Sequence, residues 1–277
     1  MYSHPDIKKS ILEKKTKIAI REDNNLYFLL DALFDTALES EALQHSLRIE
    51  YPVVDSLRKT KNEYVAEDYK QMSSDLKKAW YYGKGNFNVP FDNKFLLTLA
   101  YTLEPSLQQY RPIDFNDPET FGYRKTSVRP LNASVTPPHA AKLELSMDRF
   151  FKSFNQLIEN SQIKKTSYEY CFDMGAWLHL QLARIHPFDD GNGRTARMIH
   201  NLYLGHAQLP PIVIREEERK NYIKYLDDAV QGFKNRDGEL IPVFSRNNIS
   251  EGERRYYDFM AKKLNESMDY ILDKPRH

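Results

Sequence analysis

The sequence predicts a mostly helical fold, all-α apart from one short β-hairpin, and three observations carry that prediction. Glycine is scarce, 10 among 277 residues, about half its usual frequency of roughly 7%. Leu, Lys, Glu and Ala, all good helix formers, are plentiful. Apolar residues recur at three- and four-residue intervals through most of the chain.

The elements follow in order. Leu26, Leu29, Leu30, Leu33, Phe34, Ala37, Leu38, Ala42, Leu43 and Leu47 share one helical face over about 25–50, and Pro52 ends it. Proline disfavours helix in the residue before it, so Tyr51 is the boundary and Glu50 lies in or near the last turn. Helical patterns cover about 63–83 and 91–104. Segment 105–142 differs. Pro105, Pro112, Pro118, Pro130, Pro137 and Pro138 interrupt it around a β-branched stretch, SVRPLNASVT, which reads as an irregular connection with a short hairpin. Leu143, Met147, Phe150, Phe151, Phe154, Leu157 and Ile158 resume the helical pattern. Thr166 and Glu169 offer a capping box for a helix over about 167–185 that is apolar round much of its circumference and therefore central. After HPFDDGNGR comes a helix carrying Ala196, Ile199, Leu202 and Tyr203, then two more over about 215–231 and 250–272. The chain divides into an N-terminal helical region (1–110), a core (111–235) and a C-terminal helical extension (236–277).

Forty Lys and Arg against thirty-nine Asp and Glu leave a net charge of +1. That balance gives no general field for nucleic acid or an anionic membrane, so neither is expected as a partner, and any anion must be held locally. The single cysteine, Cys171, excludes an intrachain disulfide framework and fits a reducing compartment. Charges interrupt the apolar residues of the N-terminus, and stretches such as Phe95 to Leu103 fall short of the roughly 20 residues that cross a bilayer. The expectation is a soluble, cytoplasmic protein, with delivery into another cell left open.

The chemistry concentrates in His186-Pro187-Phe188-Asp189-Asp190-Gly191-Asn192-Gly193-Arg194-Thr195-Ala196-Arg197, between two helices. Gly191 and Gly193 let backbone approach a ligand closely, and the N–H groups opening the next helix make an anion cradle. Arg194 and Arg197, three apart, can both pair with phosphate oxygens there. Asp190 is a hard oxygen ligand suited to Mg²⁺. His186 is the segment's one group fit to take a proton near neutral pH. Phe188 anchors the loop in the core.

This string is similar to the Fic family signature H-x-F-x-(D/E)-G-N-G-R-x-x-R at every specified position, with looser resemblance over about 25–235. The resemblance implies a Fic-type helical bundle that transfers AMP from Mg²⁺-ATP to a Ser, Thr or Tyr hydroxyl of a protein. It gives His186 the role of base, Asp190 the metal, Asn192 the α-phosphate, Arg194 and Arg197 the outer phosphates, and Gly191 and Gly193 the lining of the cradle.

A second stretch, Glu41-Ala42-Leu43-Gln44-His45-Ser46-Leu47-Arg48-Ile49-Glu50-Tyr51, resembles the family's inhibitory helix motif, (S/T)-x-x-x-E-(G/N). Ser46 and Glu50 match, and Tyr51 departs from the pattern. The resemblance implies that Glu50 occupies Arg197 and restrains transfer. Phe121-Gly122-Tyr123-Arg124 and the proline-rich stretch after it resemble the flap that registers a target segment by main-chain pairing. Tyr222 and Tyr225, on the helix after the motif, either help form an adenine pocket or belong to the core. Removal of AMP, with Glu50 orienting water, and a non-catalytic nucleotide-sensing module are the alternatives. A homo-oligomer is left open.

Overall fold

A computed structural model describes residues 3–22, 36–50, 63–109, 122–130, 133–163, 169–235 and 246–273. The described helices are α1 (Pro5–Glu22), α2 (Thr36–Glu50), α3 (Glu63–Asn86), α4 (Asn93–Leu103), α5 (Leu143–Ile163), α6 (Glu169–Ile185), α7 (Asn192–His206), α8 (Arg219–Asn235) and α9 (Glu251–Asp273), with short 3₁₀ turns before α5, α8 and α9.

A helix apolar on all sides must be buried, and α6 is: every residue from Phe172 to Leu182 is inaccessible. Its partner α7 is buried from Arg194 to Leu204. The two pack along each other and form a helical hairpin whose connection is the 186–191 loop. Phe150 of α5 stacks on Trp177 of α6 with ring centroids 5.7 Å apart, and α4 packs against α7. Asp92 caps α4, its carboxylate accepting from Phe95 N at 2.8 Å. Ser250 and Glu253 form a reciprocal capping box on α9.

Sequence reading missed α1, whose thin stripe of Ile7, Ile11 and Ile18 is masked by lysines; it lies along α9. The fold ties it down through Ser3 N, which donates to the fully buried Asp173. Of the helix expected over 25–50, the part before Thr36 lies outside the described residues, as do Thr166 and Tyr51. The hairpin expected within 105–142 is not paired as strands among the described residues; 122–130 and 133–139 run as irregular chain with bends. Pro130, Pro137 and Pro138 have no N–H to give a ladder. The carbonyls of Thr126 and Pro138 accept instead from the guanidinium of Arg124.

Candidate functional site

The 186–191 loop opens where α6 stops. His186 takes the left-handed conformation, φ 54°, immediately after the last residue of α6, a common helix-ending geometry that here falls on a non-glycine residue. Its carbonyl accepts from Arg124 Nε at 2.7 Å. Its ring Nδ1 lies 3.4 Å from the Ala183 carbonyl; a carbonyl can only accept, so Nδ1 carries the proton and Nε2 keeps a lone pair. Burial pushes the imidazole down to about 4 against the opposing pull of the Ala183 carbonyl, so the ring is neutral at pH 7.

Phe188 seats the loop between Tyr101 and Tyr123. Asn192 clasps it: Phe188 N donates to Asn192 Oδ1 at 2.9 Å, and Asn192 Nδ2 donates to the Phe188 carbonyl at 2.8 Å. Gly191, the N-cap of α7, has φ 74°, which glycine adopts without strain. The first turn of α7 closes with Thr195 N on the Gly191 carbonyl at 2.9 Å. The amides of Asn192 and Gly193 precede that bond and face outward with the positive end of the helix dipole.

Arg194 and Arg197 meet different protein partners. The buried Arg194 turns under the loop, its Nη2 2.5 Å from Glu104 Oε2 and 3.6 Å from Asp190 Oδ1. Glu104, which sequence reading did not single out, ends α4 and is itself buried, so it draws the guanidinium inward. Nothing in its sequence context marks it; only the packing of α4 on α7 brings it beneath Gly191. The carboxylate of Asp190 is 56% exposed and accepts from Gly191 N at 2.5 Å. Burial nevertheless pushes its carboxyl up, with Gly191 N–H and Arg194 opposing.

Arg197 instead meets α2. Its Nε donates to Ser46 Oγ at 2.8 Å, and its Nη2 donates to the Ser46 carbonyl at 2.9 Å and to Glu50 Oε1 at 2.7 Å. Burial raises the Glu50 carboxyl, but the Arg197 guanidinium, aided by Arg194 and Arg219, outweighs it and holds the group below the usual carboxylate range. Glu50 also lies against the cradle: a Cβ added at Gly193 would collide with its Oε1. Sequence reading brought Ser46, Glu50 and Arg197 together, and the structure does the same.

Behind Arg197 runs a buried polar chain. Its Nη1 donates to Tyr222 Oη at 3.4 Å, while Tyr222 and Tyr256 flank His179 at 2.8 and 2.5 Å. Tyr256 donates to the Ala176 carbonyl at 3.1 Å, so His179 Nδ1–H donates to Tyr256 and Nε2 accepts from Tyr222. Tyr225 packs on Phe259 instead. Glu50, His186, Gly193, Arg197 and Tyr222 line one cavity of about 330 Å³, to which Val135, Pro137, Ile223, Leu226 and Val230 add apolar lining. Its lining combines a neutral imidazole, a helix N-terminus, the cations Arg184, Arg197 and Arg219, of which Arg197 is paired with Glu50, and apolar side chains, which suit an anionic ligand with an apolar end.

Among the described residues no group of three His, Cys, Asp or Glu could hold a metal alone. One exposed carboxylate beside an anion cradle does fit Mg²⁺, which is held through one or two carboxylates, ligand phosphates and water. No described helix is long and apolar enough to cross a membrane.

Comparison with known proteins gives concordant results. The profile of the Fic/DOC family matches residues 95–204. A protein adenylyltransferase Fic of Nematostella vectensis is 36% identical over 110 residues, 40% of this chain and 24% of its own length. A protein of the same name from Drosophila grimshawi is 35% identical over 136 residues, 48% of this chain and 26% of its own length. The match thus spans about a quarter of these relatives. In structure, the chain resembles a Fic domain containing signaling protein from Bacteroides thetaiotaomicron, with TM-score 0.62, 18% identity, and 96% and 95% of the two chains covered. It also resembles residues 134–508 of Fic-1 from C. elegans, with TM-score 0.63, 17% identity, and 96% and 71% covered. At these identities the likeness is one of fold.

Proposed function

We propose, from the match of residues 95–204 to the Fic/DOC family profile, that the protein transfers AMP from Mg²⁺-ATP to a hydroxyl of a protein, restrained in cis by Glu50. The observation that carries the reading is the shared cavity: His186, Gly193 and Arg197 line it together, and Glu50 sits on the latter two.

In this reading the polyphosphate lies along the amides of Asn192 and Gly193, with the second hydrogen of Asn192 Nδ2 left for the α-phosphate. Arg197 takes an outer phosphate. Arg194 braces the loop from below through Glu104. The adenine lies against Ile223, Leu226 and Val230. Asp190 would hold Mg²⁺, which when bound offsets charge on phosphate oxygens. His186 Nε2 takes the proton of the target hydroxyl as its oxygen bonds to the α-phosphorus. The bond from that phosphorus to the bridging oxygen breaks, and pyrophosphate leaves with the electron pair. Positioning and electrostatics carry most of such a reaction. Glu50 opposes it twice, by occupying Arg197 and by setting a negative charge where a phosphate belongs.

The test uses Glu50→Gly with ATP labelled at either end. Label at the α-phosphate should enter protein and label at the γ-phosphate should not; γ-label incorporation would make the enzyme a phosphoryl transferase. A second reading, removal of AMP, draws on the ionised Glu50 lining the same cavity, where it could orient water. A pre-adenylylated target separates the two: loss of AMP with the parent and not with Glu50→Gly is the outcome specific to removal.

A further inference from the structure

Arg124 is 2% exposed, and among the described residues no carboxylate lies within ion-pair distance of it. A buried cation so placed is costly and must be satisfied otherwise. Its partners are three main-chain carbonyls. Nε donates to His186 at 2.7 Å, Nη1 to Thr126 at 2.7 Å and Nη2 to Pro138 at 2.6 Å. Its own amide donates to the Pro187 carbonyl at 2.9 Å.

These contacts bracket the one strained residue of the loop. His186 holds φ 54°, a conformation that costs about 1–3 kcal/mol on a non-glycine residue and persists only where its surroundings enforce it. The fork that enforces it also grips both arms of the irregular segment, Thr126 on one side and Pro138 on the other. Pro130, Val135 and Pro137 of that segment line the same cavity as His186. Only a guanidinium has donors fixed in a plane for three acceptors at once; an ammonium is a point charge on a flexible stem.

We propose that Arg124 is a positioning residue that locks the His186 imidazole to the two arms 122–130 and 133–139, so that seating a target against those arms and aiming the base are a single event. The proposal rests on the AMP-transfer reading and names what places its base. Arg124 does not itself line the cavity, so its loss should leave nucleotide binding intact.

The experiment places Arg124→Lys and Arg124→Ala in the Glu50→Gly background. We expect kcat for transfer to fall at least about 10-fold in both, since misplacing a reacting group by about 1 Å can cost about 100-fold, with KM for ATP within about twofold of the background. Millimolar guanidinium should restore part of the Arg124→Ala rate, a rescue that a merely structural defect would not show. Unchanged kcat in both variants, or a KM for ATP that rises in step with the loss and no rescue, overturns the proposal. Should Arg124→Ala fail to fold, Arg124→Lys decides through the imidazole ¹⁵N signals of His186, read without ATP. They should move, and signals identical to the background overturn the assignment. A Glu50→Gly protein that transfers no AMP defeats the transfer reading alone, and the imidazole signals still judge Arg124.

Discussion

At residue 186 one backbone turn and burial produce an imidazole that is neutral at physiological pH. Because burial holds the imidazole at about 4, the acid limb of the transfer rate in Glu50→Gly should fall near pH 4, not near the 6.5 of a solvated histidine. Single-turnover rates from pH 4 to 8 check this; an inflection at 6.5 would mean an open, solvated ring. Ser46 supplies a graded test of restraint. Its hydroxyl accepts from Arg197 Nε, while its main-chain carbonyl and Glu50 hold Nη2. Ser46→Ala removes only the first contact, a charge-assisted bond worth about 1.5–3 kcal/mol, so it should raise basal transfer by less than Glu50→Gly does. Equal rates for Ser46→Ala and the parent would show that the hydroxyl does not hold the arginine. The residues of the proposed site from 186 to 197 stood out in the sequence because they are contiguous. Glu104 was not, since 90 residues separate it from the arginine it pairs with.

At the scale of an element, the proposed restraint is only as firm as the docking of α2. Its Glu39 is buried, accepting from Trp80 Nε1 at 3.1 Å and Lys84 Nζ at 2.8 Å, both on α3. At the other end Arg219 Nε donates to the Ile49 carbonyl at 2.6 Å, satisfying a C-terminal carbonyl of α2 beside Glu50. Glu39→Ala leaves a buried indole N–H without its acceptor and removes one partner of Lys84, at a cost of about 1–3 kcal/mol. The expected outcome is faster hydrogen exchange over 38–50 together with higher basal transfer. Exchange unchanged while transfer rises would place the restraint elsewhere. Periodicity found α2 to α9 because each carries a broad apolar stripe. It missed α1, where Ile7, Ile11 and Ile18 on a lysine-rich helix give a weak signal that becomes structure only against α9. It also expected a hairpin in a segment where proline removes donors and Arg124 supplies them from a side chain.

Across the whole molecule, the fold keeps several histidines neutral. Burial lowers His200 to about 3, His186 to about 4 and His179 well below 6.5. In each case the unfolded chain binds a proton that the folded chain refuses. Stability is therefore full above about pH 6.5 and declines as pH falls toward the folded values. Each histidine adds a slope of about 1.4 kcal/mol per pH unit within that window. Denaturant titrations between pH 7 and 5 should show the loss, with His200→Gln reducing the slope; a flat profile would mean that these rings are not neutral in the fold. The same closed interior, with α6 and α7 at its centre, leaves the 186–197 loop as the place where helix ends, charge and cavity converge. The central claim about that loop is tested most directly by the intact mass of Glu50→Gly after incubation with Mg²⁺-ATP and a protein acceptor, beside the double variant that also carries His186→Ala. The account requires an added AMP in the first and none in the second, with ATP still bound by both. AMP added equally in both, or in neither while ATP binds tightly, would contradict it.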